Sequence, residues 1–187
     1  LGDLMIGVWL AKNGIKKSDV NVVYLGGLGN LISAMKANKT EATFILPPLG
    51  EQLLPSGQKR FGDLRDIAYS NQGWAATKSY AAKNGDAMQR FTAAATEGIA
   101  FVKRNKQKSL TVLPKYAGVT NEEWNAYAYD FFAPLLTVIP RVTPEVLKAT
   151  QELSTVEETR KLNLKPYINN SYVDKLAASG FIDKLYK

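Results

Sequence analysis

The sequence predicts an α/β fold, and three observations carry that prediction. Residues 20–25 and 42–46 are nearly continuous apolar runs, the mark of strands in a parallel sheet covered on both faces. Stretches with helical spacing stand before, between and after them, so strand and helix alternate. From Gly73-Trp74 onward the pattern is helical to the end of the chain.

Residues 3–13, DLMIGVWLAKN, read as a helix apolar nearly all round, and such a helix is normally buried. Gly14 follows as its C-cap. The run 20–25 is the first strand, closed by Gly26-Gly27. Residues 30–37 form a short helix and residues 42–46 the second strand, which ends abruptly at Pro47-Pro48. Residues 49–57 look helical, with Gly57 as the stop, and residues 66–70 make a third, short strand.

In the second half, residues 86–104 carry Met88, Phe91, Ala95, Ile99 and Val102 at helical spacing. Residues 106–116 form another helix, stopped by Gly118. The next begins at TNEEW, where Thr120 is positioned as N-cap and Glu123 closes a capping box. Trp124, Tyr127, Ala128 and Phe131 then share one face. A fourth helix starts with Thr143 as N-cap and Pro144 at its first position. A fifth runs from Ser171 to Ser179 and ends at Gly180.

Composition excludes several chemistries. The 187 residues are 45% hydrophobic and 22% charged, an ordinary globular balance, and they contain neither cysteine nor histidine. That removes disulfides, thiolate nucleophiles, zinc sites of the usual kind and every Ser-His-Asp arrangement. An enzyme here would need carboxylates, lysine or tyrosine. The pairs Glu122-Glu123 and Glu157-Glu158 are adjacent in sequence, so neither pair shares a helix face, and they read as helix surface. The net charge of +7 suits a nucleic-acid partner on its own. The cations are spread along the chain, however, and no binding motif is present, so no nucleic-acid partner is expected. The densest run, residues 103–109, lies where a helix ends and complements its dipole. No apolar run is long enough to cross a bilayer.

The stretch LGGLGNLISAMKANKTEATFILPP resembles the second-lobe segment of the nitrate/sulfonate/taurine-type solute-binding proteins of ABC importers. The matching residues are Gly26-Gly27, Ser33-Ala34, Ala37-Asn38, Glu41-Ala42 and Phe44 to Pro48. AATKSYAAKNGDAMQRFTAAATEGIAFVKRN resembles that family's return strand and long helix, and YINNSYVDKLAASGFIDKLY its C-terminal ending. Asn38 stands for the usual glycine and Glu41 for the usual aspartate. The resemblance implies a type 2 periplasmic-binding-protein fold. Residues 1–72 would form a second α/β lobe lacking its first strand. Residues 73–187 would form a crossover strand and C-terminal helices completing the first lobe, whose remaining part is expected ahead of Leu1.

In such folds ligands sit beyond the carboxyl ends of parallel strands. The expected ligand-binding residues are therefore Gly2 and Asp3 at the first helix N-terminus, Gly26 and Gly27, Pro47 and Pro48, and Trp74 just after the crossing. Each also has a plain structural reading: Gly26-Gly27 as an ordinary turn, Pro47-Pro48 as a helix entry, Asp3 as a charge serving the helix dipole, Trp74 as packing. Trp9 and Trp124 read as core.

The function so implied is non-catalytic binding of a small anionic or heteroaromatic solute between two lobes, with hinge closure and delivery to an ABC-transporter permease. No cofactor and no metal are expected. The protein would be a monomer, peripheral to the membrane, and periplasmic or at the cell surface, with its export signal upstream of this chain. A ligand-binding sensory domain of a receptor is the alternative. A thiamin-pyrimidine-forming enzyme of the same superfamily is a remoter one, because that chemistry relies on histidine and a cysteine-rich stretch.

Overall fold

The computed structural model describes residues 2–67, 73–154 and 156–187. Every regular element among them is helical, and no strand or sheet is present. This corrects the α/β parallel-sheet expectation, and with it the periplasmic-binding-protein fold. Residues 20–25 and 42–46 do run extended, but no backbone ladder joins them to each other or to any described segment. A continuous apolar run reports a preference for burial, whereas a strand needs a neighbour to accept its N–H and C=O groups. The first run does not gain the burial either, since Val23 and Tyr24 stand exposed. Of the expected third strand, Asp66 and Ile67 lie in a turn and bend, and residues 68–70 fall outside the described residues.

Among the described residues, the first half has two α-helices and two 3-10 segments. α1 (Gly2–Lys12) is the apolar helix read from the sequence, with Met5 and Leu10 buried. It stops where Gly14 takes φ +70°, a left-handed conformation only glycine adopts freely, and the Ile15 N–H returns to the Leu10 carbonyl at 2.9 Å. α2 (Leu28–Lys36) starts from Gly27 and buries Met35. It ends at Asn38, which has φ 52°, a region asparagine tolerates better than most residues. A 3-10 helix, Leu49–Ser56, follows the cis Pro47-Pro48 bond and packs on α2.

The second half contains α3 (Lys78–Lys83), α4 (Gly85–Arg104), α5 (Lys106–Ala117), α6 (Glu122–Phe132), α7 (Pro144–Glu152), α8 (Glu157–Lys161), α9 (Ser171–Ala178) and α10 (Phe181–Leu185). The long helix α4 is the spine. Thr92 and Thr96 lie within it, and their hydroxyls donate back to the carbonyls one turn earlier at 2.8 Å, so Thr96 is fully buried without an orphaned donor. α9 and α10 fold against α4, and Val173, Leu176 and Ile182 form a core cluster with Ala93, Ile139, Phe181 and Tyr186 around it. α5 packs on α6, where buried Asn125 donates to the Val119 carbonyl at 2.7 Å.

The basic run at the α4–α5 junction ties helices together. Lys103 donates to the Ala133 and Leu136 carbonyls, Arg104 to the Leu185 carbonyl, and Lys106 pairs with Asp130 at 2.6 Å. The N-cap of α6 is Asn121, whose side chain accepts from the Trp124 N–H at 2.9 Å; the expected cap, Thr120, lies one residue outside. Thr143 caps α7 as expected, with Pro144 at the first helical position.

Candidate functional site

The two extended runs, left without partners, form the walls of a cleft of about 2490 Å³. Residues 20–23, 39–47 and 58–65 line it, together with Ile67. α4, α6 and the segment 135–142 contribute Phe91, Tyr127, Phe131 and Arg141, and α1, α2, the 3-10 helix Leu49–Ser56 and residues 164–173 also contribute. The walls are largely apolar and aromatic because these are the runs whose burial the sequence demands and the sheetless fold leaves incomplete. Sites that enclose drug-sized ligands measure roughly 300–1,000 Å³. The cleft is therefore more than twice the size that a drug-sized ligand fills.

The stretch 58–67 is anchored by stacked cations. The Arg60 guanidinium lies 4.3 Å from the centre of the Tyr127 ring and that of Arg65 5.0 Å from Phe131. Arg60 also pairs with Glu51, and Arg65 with Asp63 at 2.5 Å. The Arg65 side chain beside Asp63 holds that carboxyl below its usual range, so it is ionised at neutral pH. Phe61 meets Trp9 edge-on at 5.1 Å, and Gly62 lies so close to the Trp9 indole that a Cβ there would displace it. Arg141 pairs with Asp174 at 2.6 Å. Lys39 and Lys59 line the cleft without an ion-pair partner among the described residues.

The residues expected to bind ligand are not brought together. Pro47 and Trp74 line the cleft, Trp74 more than half exposed and edge-on to Phe91 at 5.5 Å. Pro48 is turned into the start of the 3-10 helix. Gly26, with φ +80°, and Gly27, the N-cap of α2, form an exposed turn beyond the lining. Gly2 and Asp3 open α1, but Asp3 is committed to a structural tie: Lys17 Nζ donates to it at 2.6 Å and the Tyr24 hydroxyl at 2.9 Å. The Lys17 ammonium, then the Tyr24 hydroxyl, hold the Asp3 carboxyl below its ordinary range. A carboxylate so placed opposes an anion at that helix end.

Sequence reasoning missed Glu51, Gln58, Arg60 and the two unpaired lysines. The one available hint for Glu51 was its place between Leu49 and Leu53, where a charge interrupts an apolar stretch. Trp9, expected in the core, instead forms part of the cleft wall. Among the described residues no cluster of three or more metal-ligating side chains occurs, and no helix is long and apolar enough to cross a membrane. No family model, no curated protein and no solved structure matches this chain.

Proposed function

We propose that the chain binds a small anionic or heteroaromatic solute in this cleft without transforming it, as the binding component of an ABC importer. The observation that carries the reading is the lining: apolar and aromatic walls with Trp74 and Phe91 available for stacking, and Lys39 and Lys59 as cations without an ion-pair partner among the described residues. A few placed polar groups in an apolar concavity are what small-molecule sites consist of. The reading needs no sheet; a concave wall and uncommitted charge suffice. The importer context rests on the sequence likeness to the nitrate/sulfonate/taurine-type binding proteins.

The test is thermal unfolding against a panel of sulfonates, nitrate, taurine and pyrimidines. A true ligand at a hundred times its Kd stabilises by about 2.7 kcal/mol, a rise in Tm of roughly 5–11 °C for a chain of this size. Trp74→Ala is expected to diminish the shift. No shift with any member of the panel overturns the proposal.

A further inference from the structure

The run 20–25 is extended, and its residues Val20, Val23 and Tyr24 stand exposed. Among the described residues, none of its backbone N–H groups has an acceptor, and the carbonyls of residues 20–24 have no donor. Leu25 alone uses its oxygen, for the Gly27 N–H and the Asn30 side chain. Three valines and a tyrosine in six residues favour the pleated conformation. Exposed strand edges are ordinarily blunted by lysine, proline or a bulge, and residues 20–25 include no lysine, proline or glycine. The run is also set in place beforehand, since the Tyr24 hydroxyl donates to Asp3 at 2.9 Å and ties it to α1. Residues 20–23 line the cleft, so a strand added alongside directs alternate side chains toward that apolar hollow.

We propose that residues 20–25 dock an extended segment of a partner protein as an added β-strand, and that this segment alternates apolar residues and is flanked by acidic ones. A row of alternating donors and acceptors along a run without charge is matched by another polypeptide backbone. Charge then selects the partner. The chain carries +7, and Lys39 and Lys59 at the same cleft have no ion-pair partner among the described residues. A second copy of this chain would bring like charge to the edge, whereas an acidic segment is drawn to it. The inference goes beyond solute binding and does not rest on it.

The test is fluorescence anisotropy of the whole chain with a labelled, capped peptide of about seven residues, valine alternating with threonine and a glutamate at each end. Successive N–H groups of a strand point to opposite sides, so methylating alternate peptide nitrogens gives two versions. One loses every donor that faces the run and is expected to bind about tenfold or more weakly; the other keeps them and stays within about threefold of the parent. Lysine in place of both glutamates is expected to weaken binding about tenfold at low salt. In the protein, Asn21→Pro and Val22→Pro remove adjacent donors, and one of the two, shown folded by circular dichroism, is expected to lose the peptide. The comparison of methylated peptides decides the matter whether or not these variants fold. Equal loss in the two methylated versions, tighter binding of the lysine-ended peptide, binding that survives in both folded proline variants, or no binding of the parent peptide overturns the proposal. Sedimentation as a dimer that Val22→Pro disperses assigns the edge to a second copy and overturns it as well. Each of these outcomes leaves solute binding standing.

Discussion

Asp3 and Gly62 show how much a single side chain, or its absence, decides. The Asp3 carboxylate joins the start of α1 to Lys17 and to Tyr24 of the extended run, three places the chain would otherwise leave separate. Its pKa is depressed in the folded protein from an ordinary 3.8, so the tie is fully present above that value and is lost as pH falls through the lower folded value. Asp3→Asn is expected to lower Tm by about 2 °C at pH 7, with the gap to wild type closing in acid; a pH series of melting curves checks it. Gly62 is needed for closeness. A Cβ there would overlap Trp9 Nε1 and lie 2.8 Å from Cδ1. Gly62→Ala is expected to cost about 1–3 kcal/mol and to turn the indole outward, read as a red shift in tryptophan emission.

At the scale of elements, capping separates neighbours that composition treats alike. Thr120 and Asn121 are both good N-cap residues, but the Asn121 side chain receives the Trp124 N–H. Asn121→Ala is expected to destabilise by about 1 kcal/mol and Thr120→Ala by much less; paired urea melts distinguish them. The helical half was legible because its signals are local. α4, α5, α7 and α9 lie within a residue or so of where spacing, Gly118, Thr143-Pro144 and Gly180 place them. The short helices α3, α8 and α10 escaped notice because five or six residues hold too little periodicity to recognise. The 3-10 helix Leu49–Ser56 was read as a helix of unspecified kind; its internal Pro55 denies one backbone donor to longer helical turns.

Across the whole molecule, the cleft is bounded by contacts between distant segments. Arg60 and Arg65 reach over Tyr127 and Phe131 and hold the stretch 58–67 against α6. Replacing both rings with leucine keeps the apolar volume but removes the π faces. About 1–2 kcal/mol is expected to be lost, with amide exchange in residues 58–67 faster by roughly tenfold. Exchange that accelerates evenly throughout the chain would contradict this account of the cleft wall. Of the expected site residues, Pro47 and Trp74 line the cleft. Gly26, Gly27 and Pro48 were chosen as strand tips, and without a sheet there is no shared edge to gather them.

The sequence by itself determined the longer helices and several of their stops, together with the absence of histidine and cysteine chemistry. Each of these depends on residues within a turn or two of one another. Only the tertiary structure decided that residues 20–25 and 42–46 stay unpaired, that Asp3 is a tie between segments, and that Glu51 is buried beside Arg60 with one oxygen unmet. The physical reason is that a ladder bond, an ion pair or a cleft wall requires two partners, and the second partner's position is set by packing that local periodicity does not encode.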